Sequence, residues 1–366
     1  MRYSDFKLVE YTDLDQEKDQ IIQSISGMTA NNKEDAAILD RIWKILNSGQ
    51  ITTNIDSAFG IPLADENMAE KQKVAVRQDM TKIIASVDSD YKTMNTILQR
   101  LEKEGGVVDL SELAKPMNTF DKVFGDQATA QIFKQLASYG VGKAQKGPGE
   151  YGLACLSNKV RLAAGEGDLE VDGIGKVELK AAMSSSGGRI GYGGGSQKAK
   201  RAVLQKYVER IPTVIASIGA KGGSLGLGPF MAALNEDLPV AGKENVTASD
   251  ARRLRRALMI ELLSMDMDRY ADPIAEKVSN TEDVAQVELI YLQQNYEWYK
   301  NRDAFDALLL MSIPNQKSAM LRSAQDLVAF RQSGHAGGLS ISVIPTQAGA
   351  GREQWAQLTL NKANIQ

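Results

Sequence analysis

The chain has 366 residues, 43% of them hydrophobic, and its 43 Lys and Arg nearly balance 46 Asp and Glu, for a formal charge of -3. It is long enough for two or three packed units. A single cysteine, Cys155, excludes an internal disulfide, no Cys/His set has zinc-site spacing, and the single histidine, His335, in the glycine-bounded loop Ser333-Gly334-His335-Ala336-Gly337, lacks the setting that a Ser-His-Asp triad or a HExxH zinc site requires.

Charge is spread unevenly. From Met1 to Gly60 there are ten acids against six bases, bases dominate from Val141 to Glu209, and Arg252, Arg253, Arg255 and Arg256 form a compact block. Such asymmetry suits a protein that meets a polyanion on one side. No apolar run reaches membrane-span length, and the opening MRYSDFKLVEYTDLDQEKD has no signal-peptide core. The expectation is a soluble protein of a reducing cytoplasm, with no membrane partner.

In chain order, helical periodicity runs from about Asp15 to Ala137. Ala37, Ile38, Ile42, Trp43 and Leu46 form one stripe, Asp65-Glu66 opens a segment running toward Ile84, and Tyr91, Met94, Ile97, Leu98 and Leu101 continue until Gly105-Gly106. These read as core faces of a helical N-terminal unit, residues 1–138. Glycine then becomes frequent. Gly147-Pro148-Gly149-Glu150 reads as a helix start, with proline in the first turn and an acid just inside it.

The stretch GDLEVDGIGKVELKAA, Gly167 to Ala182, alternates apolar and charged residues in two runs around Gly173-Ile174-Gly175, the pattern of a β-hairpin. Asp168, Glu170 and Asp172 share one face, and Glu178 and Lys180 share a face of the partner strand. A glycine-rich tract follows, Ser184 to Gly195. Next come helices over Gln197 to Ile218, over Arg252 to Met265 behind a Thr247-Ala248-Ser249-Asp250 cap, and over Val284 to Tyr299 behind Asn280 to Asp283. Strands are expected at Phe305 to Met311, Leu339 to Ile344 and Gln357 to Leu360, with a helix from about Gln316 to Phe330. Two glycine-rich loops fail the phosphate-loop pattern: Ala137 stands where GxxxxGK[ST] needs glycine and Ala144 where it needs Ser or Thr, and Gly219 to Gly228 has the wrong spacing. No ATPase is expected.

The set Glu150, Asp168, Glu178 and Lys180 resembles the PD-(D/E)xK nuclease superfamily, the restriction-endonuclease-like fold. There a helix supplies an acid, a strand ends in Gly-Asp or Pro-Asp, and the next strand carries Glu-x-Lys. The matching stretches are GPGEYGLACL, EGDLEVDG and VELKA, with Gly167 in place of proline. The likeness covers roughly Lys146 to Ala182.

The resemblance implies an α/β fold: a mixed-sheet nuclease core with the N-terminal helical unit outside it. Residues 139–195 would be the first part of that core, 196–300 a helical insertion, and 301–366 the remaining helix and strands, all three strands rejoining the Asp168 hairpin; a separate C-terminal β unit is the alternative. It implies a hard divalent cation, Mg²⁺ with Mn²⁺ able to substitute, held by Asp168, Glu178, the Leu179 carbonyl and Glu150, with Lys180 turned on the same phosphate. DNA is the expected partner, with RNA also admitted, contacted by Lys143 and Lys146 before the Glu150 helix and by Arg189, Lys198, Lys200 and Arg201 after the hairpin. Glu170 and Asp172 are either outer acids of the site or solvated, and Gln197 is an auxiliary candidate.

The opening MRYSDFKLVE resembles the starts of proteins encoded by tailed phages of marine bacteria. The context expected from it is a phage DNA-processing or virion-associated nuclease in the bacterial host, with particle proteins or further copies of the chain as partners. A restriction or repair enzyme shares the same chemistry. The rival of another class is a phage structural protein with a nuclease-like fold and no turnover.

Overall fold

The structure, a computed structural model, describes residues 33–60, 66–87, 89–141, 146–183, 213, 216–217, 224–240, 283–335, 339–346 and 353–360. Two compact units divide the chain: Met1–Met183 with Gln316–Ser318, and Ser184–Asn315 with Ala319–Gln366. The class is α/β. Among the described residues one mixed sheet has six strands and a second sheet has three. No described helix is long and apolar enough to cross a membrane.

The first unit opens with α1 (Lys33–Leu46), α2 (Gly49–Ala58) and α3 (Glu66–Ala85), followed by α4 (Tyr91–Gln99), which runs into one π-helical turn over Arg100–Glu104. Asp90 caps α4 by accepting the Thr93 N–H, and Gly105 ends the segment at φ 76°, a left-handed conformation that costs glycine little. The buried stripe of α1 is Leu39, Ile42, Trp43, Ile45 and Leu46. The expected stripe is therefore rotated: Ala37 is exposed and Ile38 half-buried, because Leu39 and Trp43 face Val74 and Ala85 of α3. On α4, Met94, Ile97 and Leu98 are buried as the spacing predicts, while Tyr91 is exposed.

Helix is not continuous to Ala137. After the short α5 (Leu110–Leu113), the two-residue strand β1 (Asn118–Thr119) pairs with Ser318 and Lys317, and α6 (Phe120–Phe124) and α7 (Gln127–Tyr139) follow. Phe120, Phe124 and Phe133 meet ring to ring at 4.6–5.5 Å, the arrangement that aromatic quadrupoles favour.

Helix α8 (Pro148–Leu156) lies at the centre of this core, with every residue from Tyr151 to Leu156 buried. Full burial of Leu153 and Leu156 is worth about 1.5–3 kcal/mol each. Tyr151 Oη donates to the Leu136 carbonyl at 2.6 Å and accepts the Gly140 N–H at 2.7 Å, which satisfies a buried hydroxyl and ties α8 to the end of α7. Asn54, buried in α2, donates to the carbonyls of Ala154 and Val160, both at 2.9 Å. It holds the end of α8 against β2 (Val160–Leu162), a strand too short to stand out in the sequence. Then come β3 (Leu169–Val171) and β4 (Gly175–Ala182), the predicted hairpin, with β2, β3 and β4 paired antiparallel in sequence order.

In the second unit, β5 (Ser224–Gly226) leads into α9 (Leu227–Val240). The expected loop over Gly219 to Gly228 thus contains a strand. Helix α10 (Val284–Asp303) is capped by Asp283, which accepts from Ala285 and Gln286 at 3.0 and 3.2 Å, and buries Leu292, Tyr296 and Tyr299 at helical spacing. Next are β6 (Ala307–Ser312), buried throughout, and β7 (Lys317–Leu321), whose first two residues count with the first unit. The helix expected from Gln316 therefore begins only at α11 (Ala324–Gln332), behind a Ser323 cap. A short apolar run such as Ala319-Met320-Leu321 is compatible with either element, and the turn residues Pro314 and Asn315 were the signal for a hairpin.

The last strands, β8 (Leu339–Thr346) and β9 (Glu353–Leu360), pair over eight residues from Leu339↔Leu360 to Thr346↔Glu353. They form the three-stranded sheet with β5 and do not rejoin the hairpin's sheet; a ladder of that length satisfies the inner edges of both strands, and β5 takes the other edge of β8. His335, after α11, donates its N–H to the Phe330 carbonyl at 3.1 Å, so it closes a helix end as a loop residue. The glycine-rich tract 184–195, most of 197–218, and the 247–265 cap and helix lie outside the described residues.

Candidate functional site

The hairpin places its charges by simple parity. The register is Leu169↔Val177, Glu170↔Lys176 and Val171↔Gly175, so Leu169, Val171, Val177 and Leu179 turn into the core and are all buried. Gly173 and Gly175, at φ 73° and 100°, make the reversal. One residue beyond the ladder, the Asp168 N–H donates to the Val177 carbonyl at 3.0 Å. Continuing the register puts Asp168 opposite Glu178, and directly opposite residues share a face.

Three contacts define the corner. Asp168 Oδ2 accepts the Leu179 N–H at 2.8 Å. Lys180 Nζ is 4.0 Å from that oxygen and pairs closely with Glu178 Oε1. Glu178 is only 6% exposed, so its charge is kept in a poorly solvated place beside the lysine.

Glu150 enters from α8. It is the third helical residue, and its Oε1 accepts the Gly147 N–H at 3.0 Å, which caps the helix from within. Its approach to the hairpin depends on Gly149: a Cβ there would stand 2.7 Å from Ala181 Cβ and 2.9 Å from Leu179 Cδ2. Only a glycine lets the first turn of α8 lie so close to β4.

Electrostatics agree that the groups form one cluster. Burial, and then the Asp168 charge, push the Glu150 carboxyl up to about 7, partly offset by the Gly147 N–H and by Lys146 and Lys180. Asp168 is also raised, first by burial and further by Glu178, against the Leu179 N–H, Lys180 and Lys146. The acids oppose one another's ionisation, and two ammonium groups moderate the conflict.

The sequence expectation places Lys146 on the flank of the acids, as a DNA contact just before the Glu150 helix. Here its Nζ donates to the Ala163 carbonyl at 3.4 Å, and the Ala163 N–H donates to the Asp168 carbonyl at 3.0 Å. It belongs beside the acids. The Gly149 contact and the Leu179 amide were likewise not read from the sequence, although Gly149 in a helix start was a usable signal, since glycine inside a helix is costly without a reason.

Glu170 and Asp172 are not part of the corner. Arg161 of β2 engages them at 3.6 and 2.8 Å on an exposed surface, as Lys176 engages Glu166. Cys155 is buried, which pushes its thiol up to about 12 and leaves it unreactive. Lys143, Arg189, Gln197, Lys198, Lys200 and Arg201 lie outside the described residues.

Gly167 has φ 73°, which a proline ring cannot adopt. The turn that delivers Asp168 is thus closed to the Pro-Asp form of the motif. Among the described residues, no three His, Cys, Asp or Glu side chains converge tightly enough to hold a metal ion. In kind, however, the donors are carboxylate oxygens, which suit a hard cation, and burial first, with a neighbouring acid second, makes Glu150 and Asp168 resist ionisation. No protein-family model, curated protein or solved structure matches the chain.

Proposed function

We propose that the chain is a metal-dependent nuclease that hydrolyses phosphodiester bonds of DNA, built on a restriction-endonuclease-like core of the PD-(D/E)xK kind. The observation that carries this reading is the grouping of Asp168, Glu178 and Lys180 on one hairpin, with Glu150 from a helix start within electrostatic reach of Asp168 and Lys180. Asp168 and Glu178, with Glu150 and the Leu179 carbonyl, would hold Mg²⁺ or Mn²⁺. Such an ion, when bound, polarises a phosphoryl oxygen and supplies an activated water.

The chain's own groups have definable tasks. The Leu179 N–H keeps the Asp168 carboxylate turned across the hairpin. The Lys180 ammonium, beside both acids, offsets negative charge that builds on a phosphate at this corner. Glu150, held near 7, can keep or release a proton at neutral pH, the property wanted of a general acid or base.

The test is incubation of purified protein with circular and linear DNA in Mg²⁺, Mn²⁺ or EDTA, beside Asp168→Asn and Glu178→Gln. Cleavage that needs the cation and falls at least about 100-fold in either variant supports the reading. Cleavage in EDTA, or unimpaired variants, would remove the site. An inert parent that still adopts the fold favours the structural protein.

A further inference from the structure

We infer that Tyr151 is a positioning residue of the acidic corner: by closing the end of α7 from within α8, it sets how α8 is turned about its axis and so where Glu150 is aimed. The inference rests on the nuclease reading for its consequence in turnover, and on geometry alone for the placement of Glu150.

Helix α8 has nine residues and bears Glu150 in its first turn. Two of its contacts are smooth. Gly149 meets β4, where a Cβ would stand 2.7 Å from Ala181 Cβ, and Gly152 meets α7, where a Cβ would stand 2.9 Å from Phe133 Cε2. Such contacts let the elements come close, but apolar attraction is non-directional and leaves the roll of the helix unspecified. Successive helical residues lie about 100° apart around the axis, so a small roll swings the Glu150 carboxyl along an arc. Hydrogen bonds, which weaken steeply when bent, can fix the roll.

Tyr151 supplies them. Its side chain is fully buried, and its hydroxyl donates to the Leu136 carbonyl at 2.6 Å, lies against the Ala137 carbonyl, and accepts the Gly140 N–H at 2.7 Å. Both carbonyls belong to the last turn of α7, where helical partners run out. Gly140 is fitted to the ring: a Cβ there would stand 2.0 Å from Tyr151 Cζ and 2.2 Å from Oη. The preceding residue, Glu150, accepts the Gly147 N–H at 3.0 Å. Two neighbouring residues of α8 thus hold the two ends of one connection, Gly140 to Gly147, and a roll that loosens one bond loosens the other.

The Gly147 amide reports the placement of Glu150 with no cation or substrate present. Its chemical shift and hydrogen exchange are followed by heteronuclear NMR in the parent, in Tyr151→Phe, in Gly140→Ala, which displaces the ring and keeps the hydroxyl, and in Glu150→Ala, which marks the unbonded amide. In both Tyr151→Phe and Gly140→Ala the Gly147 shift should move toward that of Glu150→Ala, with exchange about three- to tenfold faster, the factor that an ordinary hydrogen bond represents. For DNA cleavage in Mg²⁺, kcat should fall about tenfold or more with KM within about twofold of the parent, the mark of a misplaced group and not of lost substrate binding. A folded Tyr151→Phe with the parent's Gly147 shift and exchange overturns the inference and leaves the nuclease reading standing, and so does a moved amide with unchanged kcat. If Tyr151→Phe does not fold, Gly140→Ala decides by the same measures. An inert parent removes the nuclease reading, and the Gly147 amide then decides the placement of Glu150 by itself.

Discussion

The Leu179 N–H donates to Asp168 Oδ2 at 2.8 Å across the hairpin, from a residue whose own side chain is buried on the opposite face. Leu179 thereby performs two tasks: it anchors β4 in the core and aims a carboxylate. The core position of one residue and the orientation of the acid are the same fact, so packing errors on the hidden face should be felt at the corner.

Gly149 offers the sharpest case. In Gly149→Ala the new methyl meets Ala181 Cβ and Leu179 Cδ2 inside 3 Å, so α8 or β4 must shift. Chemical denaturation should show a loss of about 1–3 kcal/mol, as for other overpacked cores. Any DNA cleavage should fall further than stability alone accounts for, because Glu150 moves with the helix. A variant as stable as the parent would contradict the close approach.

Lys180→Met leaves Glu178 almost fully enclosed without its lysine partner. Breaking a buried pair from one side costs up to about 3–5 kcal/mol, and the partial exposure of Lys180 puts this one toward the lower end. The double variant Lys180→Met, Glu178→Leu should recover much of the loss, as read by thermal unfolding, while remaining inactive. Failure of the second substitution to restore stability would mean that Glu178 is not held by this pair.

The pH dependence of stability has a definite sign. The folded Glu150 carboxyl titrates at about 7, above its ordinary 4.5, so between these values the native state binds more protons than the unfolded chain. Stability of the cation-free protein should therefore fall as pH rises from about 4.5 to 7, with raised Asp168 acting the same way above its own ordinary value. Asp90, Glu102, Asp109 and Glu112, all lowered by hydrogen bonds, act below that window and with the opposite sign. Denaturation at several pH values should show a shallower fall in Glu150→Gln; an identical profile would remove Glu150 from the cluster.

For the basic residues after the hairpin the measurement is salt dependence. If Lys198, Lys200 and Arg201 contact phosphates, their triple alanine variant should lower the slope of log affinity against log salt by up to roughly 2–3 units, at about 0.9 per contact on duplex DNA. Binding is measured in Ca²⁺, and an unchanged slope places DNA elsewhere.

The hairpin was legible because period-2 alternation over Gly167 to Ala182, with glycines in the turn, leaves one way to bury Leu169, Val171, Val177 and Leu179. That parity alone put Glu178 and Lys180 on one face, and the Pro148 and Glu150 pattern alone began α8. The strands β1, β2, β5 and β7 were not legible, since two to five residues carry too little periodicity, and for β1 and β5 the partners also lie far along the chain, as Thr119 and Lys317 do. The helix expected at Gln316 gave way to a strand because pairing and burial outweigh the modest helix preference of Ala, Met and Leu.

What only the tertiary structure decided is which charges meet. Sequence spacing is silent on Glu150 and Asp168, whose approach requires a side-chain-free Gly149 against β4, and on Lys146, which the fold draws to Ala163 and the acids. It is equally silent on Glu170 and Asp172, which Arg161 claims from β2. Periodicity is a property of one segment and can be read from it. Proximity between segments is set by packing, and so is the desolvation that lifts Glu150, because both depend on what the rest of the chain places around a group.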